Sequence, residues 1–238
     1  MAESDPGADF GWGEDPLDDE IHKLVEMVTE LGIEAENILF NAVTALLGEG
    51  IHGALLAQNA GADCETRYQI AHQRGLELIM RGSATADQIR WIMDLQQIGQ
   101  FFRRIAQDSV WIATQSLALQ QPIDDILVMV GANMNLLEYL VEQTRLQVRN
   151  AILFTTTREH RHVREIVDST SDVQRAYIVL ESRVHGAIRA YPRISFPMQQ
   201  LLGIATRLQH IGMQCHSMAT AMLFNPPRRP PSAPPSQP

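Results

Sequence analysis

The chain has 238 residues, a formal charge of −9, and a composition that is 45% apolar and 20% charged. That length can bury a substantial core, as one long domain or two small ones, and the composition is that of a folded protein rather than a disordered one. Its 19 basic residues are scattered rather than gathered into a stripe, so the electrostatic footprint of a nucleic-acid binder is missing.

In chain order, residues 1–17 are acidic and rich in Pro and Gly and lack the basic-then-apolar layout of a signal peptide. They read as a loose tail. From residue 18 to 224 a 3.6-residue apolar period dominates, without alternating β-branched stretches, which predicts an all-α body. Breaks at Gly48 to Gly53, Gly82 to Thr85, Gln121-Pro122, Thr155 to Arg158 and Tyr191 to Pro197 cut six helices of roughly 25 to 35 residues. The most apolar run, "ILVMVGANMNLLEYLV", is interrupted by Asn133, Asn135 and Glu138, so no membrane span is expected. Residues 225–238 are Pro-rich and are expected to be extended and solvated.

An internal repeat organises the body. Leu95, Ile98, Phe102, Ile105 and Ile112 follow a three-four spacing that recurs as Leu201, Ile204, Leu208, Ile211 and Met218, with Ser109 and Cys215 in matching slots. Beside each seam runs a column of small residues, Gly99, Ala106 and Ala113 in one copy and Ala205, Gly212 and Ala219 in the other, which admits a neighbouring backbone. Three helices precede the same landmark twice. The expected architecture is two tandem three-helix bundles, residues 18–120 and 121–224.

Chemistry-bearing motifs are sparse. Glu49 and His52 have the Glu-x-x-His spacing of a di-iron bundle but fall at a Gly-rich junction without a second pair. Glu181 and His185, the column Glu26, Glu30 and Glu34, and the pair Glu138 and Glu142 read as solvated faces. Arg158, His160, Arg161, His162 and Arg164 cluster at a helix start, where an anion could sit, but Glu159 and Glu165 lie among them. Cys64 and Cys215 stand far apart and outside any C-x-x-C spacing, which argues against a disulfide framework or a zinc site and makes the cytoplasm the expected compartment. Neither a nucleophile elbow nor a P-loop occurs, so an enzyme is not expected.

The third helix carries "SATADQIRWIMDLQQIGQFFRRIAQDSVWIA" and the sixth "FPMQQLLGIATRLQHIGMQCHSMA". Over residues 18–224 this doubled frame resembles the PhoU family, whose third and sixth helices carry D-L-R-x-I and then L-E-R-I-G-D-x-A-x-x-I-A. Phe102-Arg103-Arg104-Ile105-Ala106-Gln107 stands against the longer motif in the first copy, closed by Ile112-Ala113. Leu208-Gln209-His210-Ile211-Gly212-Met213 stands against it in the second, closed by Met218-Ala219.

The resemblance implies that the Glu and Asp of that motif, i, i+4 neighbours, help bind metal clusters on the bundle surface. Here Arg103, Gln107, Gln209 and Met213 occupy those four positions. A fixed charge about 4 Å from a divalent ion costs about 8 kcal/mol at an effective dielectric near 20, so no metal or cofactor is expected. Asp108 and Asp94 read as helix-surface acids. By resemblance the chain is a cytoplasmic, homodimeric, non-enzymatic adaptor that couples a phosphate ABC transporter to a sensor histidine kinase, at most peripheral to the membrane. Two alternatives remain open. One is a small-anion binding module contacting its ligand through Arg103, Arg104 and His210; the other is a purely structural oligomerisation protein.

Overall fold

A computed structural model of the chain describes residues 16–46, 51–119 and 124–224. The expected tail over 1–15, Glu49, the break at Gln121-Pro122 and the Pro-rich stretch 225–238 lie outside the described residues. Within them the fold is all-α, as the period implies. The helices are α1 (Pro16–Thr44), α2 (Ile51–Met80), α3 (Ala86–Leu119), α4 (Asp124–Thr157), α5 (His160–Ala190) and α6 (Ser195–Phe224), each of 29 to 34 residues.

Local chemistry sets the ends. Pro16 opens α1, where its missing N–H costs nothing, and Leu17 is already buried, so the helix begins two residues inside the stretch read as a tail. Gly82, at φ +71, closes α2 in the left-handed conformation. Thr85 and Gln88 then form a reciprocal capping box: the Gln88 amide N–H donates to Thr85 Oγ1 at 3.3 Å and the Thr85 N–H to Gln88 Oε1 at 2.8 Å. Gln88 also donates from Nε2 to Asp18 Oδ1 at 2.7 Å, which ties the start of α3 to the start of α1. A short 3-10 turn, Pro192–Ile194, joins α5 to α6.

Helices α1, α2 and α3 pack on one another, as do α4, α5 and α6, giving the two three-helix bundles. The bundles meet through α1 against α4 and α3 against α6, so four helices form the centre while α2 and α5 flank it. One hydrophobic cluster runs through both. Both repeated seams lie in it: Leu95, Ile98, Phe102, Ile105 and Ile112 are fully buried, as are Ile204, Leu208 and Ile211, with Leu201 and Met218 nearly so.

The small-residue columns are buried too, but they differ in tightness. A Cβ on Gly212 would stand 3.0 Å from both Gln147 Oε1 and Val173 Cγ1, whereas one on Gly99 would meet ordinary contacts at 3.8 Å or more. The tightest approach of the centre is at Gly32 of α1. A Cβ there would fall 2.8 Å from the Phe102 ring of α3 and 2.9 Å from Ile152 of α4, so three helices from the two bundles converge on a missing side chain.

Candidate functional site

In the first bundle, the outer face of α3 looks toward α2. Arg103 donates from Nε to Glu65 Oε2 at 2.6 Å, Gln107 donates from Nε2 to the same oxygen at 3.3 Å, and Gln69 donates to Glu65 Oε1 at 3.0 Å. The Arg103 guanidinium lies 5.0 Å from the Tyr68 ring centroid, a cation–π contact. The hydrogen bond from Arg103 holds the Glu65 carboxyl below the usual carboxylate range, against the modest opposing effect of burial. The same bond pushes Arg103 further up. A carboxylate does approach these positions from α2, and three donors of the chain itself consume it.

In the second bundle, the matching face of α6 looks toward α5. Gln174 donates from Nε2 to the Met213 sulfur at 3.1 Å, and Gln209 sits half-buried beside it. A thioether and neutral amides stand in place of the carboxylate oxygens that would balance a hard cation's charge. Among the described residues no three of His, Cys, Asp and Glu converge in a way that could hold a metal ion.

Asp108 corrects the sequence reading most sharply. It is 7% exposed rather than a surface acid, and its carboxylate lies in the seam between α3 and α6. Oδ1 accepts from Arg207 Nη1 at 2.8 Å, while Oδ2 accepts from Gln214 Nε2 at 3.1 Å and lies 2.9 Å from His210 Nδ1, a donor in the Nδ1–H tautomer. One residue along a helix turns a side chain by about 100°. A carboxylate moved from position 107 to 108 therefore leaves the α2 side and enters the contact between bundles. Arg207 stacks at 4.9 Å over Trp111, whose ring would stand 3.1 Å from a Cβ on Gly203.

Asp94 is also only partly exposed. Burial pushes its carboxyl up to about 6, against the lowering effect of Arg158 and Arg90. Arg158, at φ 56 between α4 and α5, lays its guanidinium 4.1 Å from the Trp91 ring centroid, and Trp91 meets Phe154 edge-on at 6.4 Å. This disperses the basic cluster read at the α5 start. Arg158 goes to Trp91, Arg161 pairs with Glu159, and His162 is buried with Nδ1 3.3 Å from Asn150 Oδ1.

The acidic columns divide. Arg67 bridges Glu30 at 3.6 Å and Glu34 at 3.2 Å, and Glu34 is held above its ordinary range by burial, so it is not a simple water-facing acid. Glu138 and Glu142 are exposed, as expected. Glu181 accepts from the Tyr177 hydroxyl at 3.1 Å. Both cysteines are buried thiols, and burial pushes Cys64 up to about 12 and Cys215 well above the thiol range, which leaves neither available as a thiolate near neutral pH.

The three residues read as anion contacts separate. Arg104 and His210 line one groove between α3 and α6, of about 270 Å³, together with Gln97, Gln100, Gln214 and Ser217. Arg103 is turned away onto Glu65. On the opposite side of the centre, Glu36 of α1 accepts from Arg145 Nη2 at 2.8 Å and from Arg149 Nε at 3.2 Å, and Arg145 covers the Phe40 ring at 4.7 Å. Beside this cluster Ile33 and Phe40 of α1 and Tyr139, Leu146 and Leu153 of α4 are 43–48% exposed, each set at seven-residue spacing. Among the described residues no helix is long and apolar enough to cross a membrane.

The sequence matches no protein-family model and no curated protein. The fold does have solved counterparts. The crystal structure of PhoU from Pseudomonas aeruginosa aligns with a TM-score of 0.78 at 14% identity, over 87% of this chain and 97% of that one. The phosphate transport system regulatory protein PhoU from Streptococcus pneumoniae aligns with a TM-score of 0.75 at 15% identity, over 87% of this chain and 95% of that one. The chain thus has the PhoU fold, and the resemblance drawn from its third and sixth helices holds at that level.

Proposed function

We propose that the chain is a non-enzymatic regulatory adaptor of phosphate uptake and phosphate-starvation signalling. It acts in the cytoplasm, as a homodimer, through contacts with a phosphate transporter and a sensor histidine kinase. The fold shared with a phosphate transport system regulatory protein supports the pathway. The observation that carries the mode of action is the apolar surface across α1 and α4.

Five large apolar side chains, Ile33, Phe40, Tyr139, Leu146 and Leu153, project beside the Glu36–Arg145–Arg149 cluster on helices whose inner faces are locked in the core. Water-exposed apolar groups in such a cluster mark a protein contact, and rigid helices offer it without an ordering cost. The mechanism needs no metal: on the first face Arg103 and Gln107 engage Glu65, and on the second Gln174 donates to Met213.

A pull-down from the native source tests the reading. The wild-type chain recovers transporter or kinase subunits, and Phe40→Glu combined with Leu146→Glu loses them while helicity is retained. Recovery of neither subunit by the wild type, or equal recovery by the variant, refutes it.

A further inference from the structure

Charge is distributed unevenly over this acidic protein. Helix α6 contains no Asp or Glu, and α3 from Leu95 onward contains only Asp108. Asp108 is fully engaged by Arg207, His210 and Gln214. With Arg103 turned onto Glu65 of α2 and Arg207 paired with Asp108, Arg104 leaves the side formed by α3 and α6 with a net positive charge on a chain of net charge −9. The groove between these two helices, about 270 Å³, has no free carboxylate on its wall. Its polar lining is Gln97, Gln100, Arg104, His210, Gln214 and Ser217, every one able to donate a hydrogen bond.

Arg104 is exposed and has no ion-pair partner among the described residues, whereas its neighbour Arg103 is committed to Glu65. His210 is held from behind, through Nδ1, by Asp108. A buried carboxylate that orients an imidazole at the rim of a donor-lined groove is a positioning device, and the ring it positions lies beside the free guanidinium.

We infer that the α3–α6 groove is a binding site for a small oxyanion of the phosphate class, held by Arg104 with the amides of Gln100 and Gln214 around it, and with His210 donating from Nε2 when both ring nitrogens carry protons. Guanidinium geometry matches two oxygens of a tetrahedral anion, and the amides complete its hydrogen bonding. The groove accommodates an inorganic oxyanion or a short phosphate monoester. The site lies on the other side of the four-helix centre from the apolar surface of α1 and α4, so it is independent of the adaptor reading and can stand or fall separately.

Titration calorimetry of the full chain with inorganic phosphate, sulfate and glycerol 3-phosphate tests it, with the monoester arm separating a free anion from an esterified one. Saturable binding of at least one of the three is expected. Arg104→Ala should weaken it by about tenfold or more, the loss of a charge-assisted bond, and Arg104→Lys by less. His210→Ala should weaken it as well, while Arg103→Ala leaves it unchanged. The pull-down of transporter or kinase subunits reads the adaptor function independently. Absence of saturable binding of all three probes at millimolar concentration overturns the inference. So does unchanged affinity in Arg104→Ala, or an equal loss in Arg103→Ala.

Discussion

Replacing Asp108 by alanine removes the polar joint between α3 and α6. The wild-type side chain is 9% exposed, and its carboxylate accepts from Arg207, Gln214 and, through Nδ1, His210. Hydrogen bonds to charged groups contribute about 1.5–3 kcal/mol, and stripping one member from a fully buried pair costs about 3–5 kcal/mol. Here the partners reach water, with Arg207 41% and His210 55% exposed, so they rehydrate when the carboxylate leaves. The expected loss is therefore about 2–3 kcal/mol, a drop of about 5–10 °C in Tm for a chain of this length. Asp108→Asn, which keeps an acceptor for Arg207, should cost about 1–2 kcal/mol. Urea and thermal unfolding followed by circular dichroism measure both. In a double-mutant cycle, Arg207→Ala and Asp108→Ala should couple by about 1 kcal/mol or more. A loss below about 0.5 kcal/mol, the range of surface substitutions, would mean that Asp108 is the surface acid its sequence context suggests.

Gly32→Ala should destabilise the fold by about 1–3 kcal/mol although alanine favours helix, because its Cβ would meet the Phe102 ring and Ile152 inside van der Waals distance; a gain in Tm would refute the close approach of α1, α3 and α4. Asp94 is protonated in the fold up to about pH 6, above its unfolded value, so its contribution is full at low pH and is lost as pH rises from about 4 through 6. Asp94→Asn should therefore match the parent near pH 4 and become relatively more stable by pH 7; a difference independent of pH would contradict the buried carboxyl. The bond from Arg103 depresses the Glu65 carboxyl, which makes Glu65 stabilising above its unfolded pKa and less so as pH falls through its folded one. In Arg103→Ala the Glu65 carboxyl should titrate higher by carbon-13 NMR, and an unshifted titration would mean that the pair does not persist in solution. Arg103→Glu with Gln107→Asp sets two acids beside Glu65 and should take up zinc or manganese that the parent does not bind, as calorimetry would show.

The parts of the structure that packing enforces were legible in the sequence. The seam from Leu95 to Ile112 and its copy from Leu201 to Met218 must be apolar at three-four spacing for two bundles to share a core, and the small columns beside them must let helices approach. The polar chemistry was less legible, because it depends on which helices face each other. Glu65 could not be assigned to Arg103 from spacing, since one lies on α2 and the other on α3. Asp108 reads as a surface acid because no acid partner for it stands at i, i+4 on its own helix. A signal was present on the other one, where Arg207, His210 and Gln214 fall at i, i+3 and i+7 and form a single donor-bearing face opposite a lone acid. Arg158 looked like part of an anion cluster at a helix start. Its left-handed backbone at the α4–α5 junction instead directs the guanidinium to Trp91 of the other bundle.

The PhoU fold is kept here, while the outer faces of α3 and α6 are filled by the chain's own side chains, Arg103 on Glu65 in one bundle and Gln174 on Met213 in the other. Elemental analysis of protein purified from its native source without chelator measures this directly. Iron and zinc well below one equivalent per chain are expected; a stoichiometric content of either that is lost in Glu65→Gln would contradict it.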